Sequence, residues 1–125
     1  VPGVPGSPGH LLPSLRNPNG DSELAALMRR FVDDLGAARA AVKARAPKAA
    51  LAKAHRRMRC AWPTDVKDRT PTFDALAIVY LAQVEALDAA GPAADLEYAR
   101  VLEGCQGCHQ ASCPGPLDVI EGLRP

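Results

Sequence analysis

Residues 22–42 read SELAALMRRFVDDLGAARAAV. Leu24, Met28, Phe31, Leu35, Ala38 and Val42 recur at alternating spacings of four and three, which lines one face of an α-helix and makes a bundle seam. Asp21 or Ser22 can cap the orphan amides of the first turn, and Glu23 suits the positive end of the helix dipole. Pro47 ends this helix or opens the next. Beyond it, Leu51, Ala54, Met58 and Ala61 give a second stripe, closed by Trp62-Pro63. A third helix, capped by Thr70 or Thr72, carries Phe73, Leu76, Ala77, Tyr80, Leu81, Val84 and Leu87, and Gly91-Pro92 stops it. A fourth runs from about Ala93 through Leu96, Ala99 and Leu102 into Cys105, Cys108 and His109, until Pro114-Gly115-Pro116 breaks it. Leu117 to Leu123 can add a terminal turn. The prediction is an all-α chain, an antiparallel up-down-up-down four-helix bundle with members of about 16 to 25 residues.

Composition agrees with that class. Among 125 residues there are 23 Ala and 14 Leu against 5 aromatics, and Val, Ile and Thr together number 14. Such usage favours helix over strand and argues against an all-β domain. The length suits one domain. Residues 1–20 hold five prolines and four glycines, so they read as a flexible Pro/Gly-rich leader, leaving 21–125 as the bundle.

Net charge is only +1, but it is unevenly spread. Leu35 to Thr64 contains eight bases and no acid, whereas Pro71 onward contains eight acids against Arg100 and Arg124. Two readings follow: oppositely charged faces that attract within the fold, or a basic helix at 35–64 that docks an acidic partner. Nucleic acid is not the expected partner, because no phosphate-cradling glycine loop and no aromatic-rich basic stretch is present. The longest strongly apolar run, Ala75 to Val84, is ten residues, against the roughly 20 that cross a bilayer. The chain starts at Val1, and the expectation is that a secretion signal or a membrane tether precedes it.

Cys105-Gln106-Gly107-Cys108-His109 is CxxCH, the attachment signature of c-type haem. Two thiols add across porphyrin vinyl groups as thioethers, and the adjacent imidazole supplies an iron ligand. On a helix Cys105 and His109 lie one turn apart on one face, with Cys108 beside them. A chain of this composition shows the pattern by chance in roughly 0.3% of cases. With Cys113 the pattern extends to CxxCHxxxC, a possible Cys3His zinc site and hence a zinc-stapled helical interaction module. A thioredoxin-like use of CxxC needs a βαβ context that is not visible. No nucleophile–base pair or carboxylate constellation points to an enzyme.

In the small class I cytochromes c the motif lies near the N-terminus and a methionine ligand follows it; here no methionine follows His109. CxxCH on the last helix of a bundle resembles instead the class II cytochromes c, cytochrome c′ and the low-spin cytochrome c-556 type, over about residues 21–113. The resemblance implies one covalent haem c, with His109 as proximal iron ligand and a first-helix residue facing the iron. Met28 stands where the low-spin members place a methionine; Met58 and an open distal site are the alternatives. The bundle topology would bring Met28, Met58, Cys60, Trp62, Phe73 and His109 to one end, with Trp62 and Phe73 lining the haem. It would also let Cys60 and Cys113, the thiols not used by haem, form a disulfide. The family's basic residue after the CH pair has no counterpart in Gln110-Ala111-Ser112-Cys113. His55 and His10 read as surface histidines.

The implied function is electron transfer to a redox partner protein by low-spin His/Met-ligated iron. The alternative is a five-coordinate, cytochrome c′-like protein that binds or senses NO or CO. Haem c is attached outside the bacterial cytoplasm, so the implied location is periplasmic or otherwise exported, with or without a membrane tether. The oligomeric state stays open, since class II bundles often dimerise whereas a basic second helix opposes it.

Overall fold

The computed structural model of the protein describes residues 6–111 and 117–125. It is mostly helical, as the periodicity predicts. Helix α1 spans Glu23–Ala44, α2 Ala52–His55, α3 Pro71–Ala89, α4 Asp95–Ala111 and α5 Leu117–Gly122. A two-residue antiparallel ribbon, β1 (Leu11–Leu12) with β2 (Asp21–Ser22), pairs Leu11 with Ser22 and Leu12 with Asp21. Within the segment read as a leader, the Gly6 amide also donates to the Glu23 carboxylate at 3.0 Å.

Local chemistry sets the ends of α1 and α3. Ser22 Oγ accepts from the Ala25 amide at 3.2 Å. Arg45 ends α1 in the left-handed region, φ 54°, and its amide returns to the Ala41 and Val42 carbonyls. Thr70 Oγ1 accepts from the Phe73 amide at 3.1 Å, with Pro71 in the first helical position, where its missing N–H costs nothing. The α1 seam is buried at Leu24, Leu27, Phe31, Leu35, Ala38 and Val42, with Met28 half-buried beside it. All the expected inward residues of α3 are buried except half-buried Leu76.

Two readings are corrected. The second helix is not a long one: α2 has four residues and passes into a 3-10 turn at Arg56–Arg59. Along it Leu51, Ala52, His55, Met58 and Ala61 are buried, so three of the four expected inward residues lie inside and Ala54 is half-buried. Leu51 supplies no side-chain cap. The cap comes from α3, where the Asp88 carboxylate accepts from the Leu51 amide at 2.9 and 3.0 Å and from the Ala52 amide at 2.8 Å. The basic stretch 35–64 is therefore the end of α1, a connection and this short arm, and not one helix. In α4 the fully buried residues are Tyr98, Val101 and Leu102, with Ala94 buried just before it, whereas Leu96 is 58% exposed. A strict three-residue repeat from Leu96 drifts around an α-helix and leaves the core face.

Oppositely charged segments do meet. Arg45 pairs with Asp95, and Lys48 donates to the Ala90 carbonyl at 2.8 Å, holding the arm's start against the α3–α4 connection. Ile120 of α5 is buried, and the Tyr98 hydroxyl donates to the Leu123 carbonyl at 2.5 Å, which ties the last helix to α4. Burial pushes the Tyr98 phenol up to about 12.

Candidate functional site

One layer fixes the relative heights of the helices. The Phe31 ring of α1 stacks on the His55 imidazole, centroids 3.8 Å apart and planes 12° apart, and Tyr80 of α3 lies parallel to both. His55 Nδ1 is 2.8 Å from the Tyr80 hydroxyl and Nε2 is 2.8 Å from Asp34 Oδ2. A carboxylate only accepts, so Nε2–H donates to Asp34 and Nδ1 accepts from the Tyr80 O–H, leaving both ring nitrogens satisfied. Burial holds the His55 pKa below its ordinary value, against the hydrogen bond and charge of Asp34, which act to raise it; Arg30 lowers it further and Asp88 raises it. Burial likewise pushes the Tyr80 phenol far up, with the charges of Cys105, Asp34 and Asp88 adding to it. His55 is thus not the surface histidine expected from the sequence: it is fully buried, one α-helical turn after buried Leu51, whose carbonyl accepts from the His55 amide at 3.0 Å.

The same layer reaches α4 at Gly104, where a Cβ would meet Gln83 Oε1 and the Tyr80 ring edge. Cys105 follows, half-buried and packed on the core, its thiol pushed up to about 12 by burial, with Cys108 adding to the rise. Cys108 is also half-buried against the core, and His109 is half-buried in the last turn of α4. Helix α4 runs unbroken through the pentad to Ala111. Cys105 and His109 therefore sit one turn apart on one side of the helix, about 6 Å along its axis.

From this layer the predicted site residues extend in one direction. The Leu24 amide donates to the Trp62 carbonyl at 3.1 Å, and Arg69 donates to the Ala61 carbonyl at 3.1 Å and lies 3.8 Å from Asp74. The start of α1, residues 61–64 and the start of α3 thus share one end. Met28 lies one turn from Phe31 toward that end, and Phe73 lies two turns from Tyr80 in the same sense. Antiparallel to α3, α4 carries Cys108 and His109 past Gly104 toward it as well. The two methionines differ in setting, since Met58 is inside the core at 3% exposure whereas Met28 is half-buried at its border. Phe73 is buried, and Trp62 is half-buried with the Arg69 guanidinium 4.8 Å above its ring. Cys60 is exposed at the end of the arm; Cys113, and with it the expected Cys60–Cys113 bridge, lies outside the described residues.

His10 is partly buried and pairs with Glu23 at 3.1 Å. Burial alone would raise the Glu23 carboxyl, but the Gly6 amide, His10 and Arg57 together hold it low. Among the described residues no three His, Cys, Asp or Glu side chains converge as a group that could hold a metal ion. The zinc reading needs Cys113, which is not among them. For haem c the donor chemistry fits: two adjacent-turn thiols and an imidazole on one helix, with a thioether on α1 at the same end. Sequence reasoning missed the Asp34–His55–Tyr80 chain, whose members are 21 and 25 residues apart; the only local signal was a histidine three residues from Met58.

Comparison with models of protein families, with curated proteins and with solved structures finds no match. Among the described residues no helix is long and apolar enough to cross a membrane.

Proposed function

We propose that the chain is a monohaem c-type cytochrome of the class II kind that transfers electrons outside the cytoplasm. The observation that carries this reading is the CxxCH pentad on the unbroken helix α4, with both thiols half-buried against the core. α1, the short arm, α3 and α4 are then the four members of an up-down-up-down bundle whose second member is foreshortened. Bound haem supplies a one-electron ferric/ferrous couple. Cys105 and Cys108 would hold it as thioethers, each thiol adding S and H across a vinyl double bond. The raised Cys105 pKa keeps that thiol in the neutral form. His109 would supply one iron ligand and Met28, at the border of the core at the same end, the other, and methionine ligation would raise the potential. Phe31, Phe73 and Met58 exclude water from that end.

Expression with a functioning haem c maturation system, followed by optical spectroscopy, tests the reading. The expected result is a low-spin spectrum that survives acid-acetone extraction, with a ferric thioether-to-iron band near the red edge that Met28→Ala abolishes. Loss of that band in Met58→Ala instead would overturn the ligand assignment. A high-spin spectrum with ready CO binding would replace electron transfer by gas binding.

A further inference from the structure

Part of the basic arm has no counter-ion among the described residues, although Arg56 Nε donates to the Ala52 carbonyl at 3.3 Å. Lys53, Arg56 and Arg59 are exposed and form no ion pair among the described residues. Arg57 differs, since it lies near enough to Glu23 to help hold that carboxyl low. Beside the arm, α3 presents an apolar ridge to solvent: Ile78 is 53% and Val79 51% exposed, and Ala82 and Ala86 follow one and two turns on. Depressions flank this ridge on both sides. One is lined by Arg56, Arg59, Ile78, Leu81, Ala82 and Glu85. The other lies toward α4, between Val79, Gln83, Ala86 and Arg100. Helix α3 is thus apolar on its outer side as well as its inner one, which is unusual for a helix left uncovered.

We propose that the Ile78–Ala82 ridge and its two flanking depressions are the docking surface for an acidic partner protein. The partner would seat an apolar ridge in these depressions and set carboxylates against Arg56, Arg59 and Arg100. That the partner exchanges electrons rests on the cytochrome reading above; the surface itself does not. Charge complementarity identifies the partner's sign, because Arg56, Arg59 and Arg100 outnumber Glu85 and Glu97 in the two depressions and none of the five is in an ion pair among the described residues. Concavity and two carboxylates favour a protein over an anionic membrane. Glu85 lines one depression and Glu97 the other, where a lipid surface would press them against phosphates, whereas a protein can offer each a donor. The site also revises the expected docking face, moving it from a basic helix at 35–64 to the seam between the arm and α3.

The test uses the full chain, isotope-labelled, with and without haem, titrated with an amphipathic helical peptide bearing leucines at i, i+3, i+4 and i+7 and flanking glutamates. Vesicles of phosphatidylglycerol and phosphatidylcholine serve as the second probe. Peptide-induced shifts are expected to centre on Arg56, Arg59, Ile78, Ala82 and Glu85, in both forms of the chain. Affinity should fall about tenfold between low and physiological salt. Arg56→Glu with Arg59→Glu should weaken binding at least about tenfold and Ile78→Ser about fivefold, while Lys43→Glu, on exposed α1, leaves it unchanged. All these positions are exposed, and circular dichroism checks that each variant is folded. Shifts centred elsewhere, affinity unmoved by the double charge reversal, self-association through the ridge, or binding to vesicles in preference to peptide would each overturn the proposal. If haem fails to attach while the peptide still maps to this ridge, the cytochrome reading falls and the docking surface stands.

Discussion

Helix α3 and the short arm before it are drawn from similar alanine-rich sequence, yet they are stabilised in different ways. α3 carries its own start, a threonine cap followed by proline, and ends cleanly before Gly91-Pro92. The arm has no cap of its own and takes one from Asp88, near the far end of α3. α3 therefore specifies itself, whereas the arm is folded onto α1 and α3 by contacts remote in sequence. Its buried face holds Leu51, Ala52, His55 and Met58, and His55 is fixed there by Asp34 and Tyr80.

This contrast is most sharply broken at His55. His55→Ala removes a fully buried ring, its stack on Phe31 and two hydrogen bonds, and strands the Tyr80 hydroxyl; the expected loss is about 3–5 kcal/mol by denaturant unfolding. A loss under about 1 kcal/mol would mean that the imidazole does not anchor the arm. Asp88→Ala comes next, at about 2 kcal/mol. Its signature is local: hydrogen exchange should accelerate at Leu51 and Ala52 well before it does in α3. Thr70→Ala should cost about 1 kcal/mol and leave the arm's exchange unchanged, since that cap serves α3 alone.

The smallest effect is that of pH. The folded His55 pKa lies below its unfolded value, so the unfolded chain binds the proton more readily. Stability from this group is complete above the ordinary histidine pKa of about 6.5 and declines as pH falls from there toward the folded value. The melting temperature should therefore drop on acidification through this window, and His55→Gln should flatten the decline. An unchanged slope in that variant would assign the dependence to other groups.

The same contrast explains what could be read in advance. The α1 seam, the Ser22 and Thr70 caps and the Gly91-Pro92 stop are local signals, and they were legible. The CxxCH pentad is local too. The arm was legible in part: Leu51, Met58 and Ala61 are buried as the repeat implies, but its shortness and the burial of His55 depend on Asp88, Phe31 and Tyr80, which are remote in sequence. Leu96 was misjudged for a related reason: Tyr98, the residue that faces inward, is fixed by its bond to Leu123, 25 positions away.

The central claim is that Cys105 and Cys108 hold haem covalently. Intact-mass analysis of the chain matured in a haem c-competent host, with peptide mapping of the product, tests it most directly. The expected result is a mass increase of one haem, retained after acid-acetone extraction and located on the peptide containing Cys105 and Cys108, and abolished by Cys105→Ala with Cys108→Ala. A fully matured preparation with the unmodified chain mass, or with haem that extracts into acetone, would contradict it.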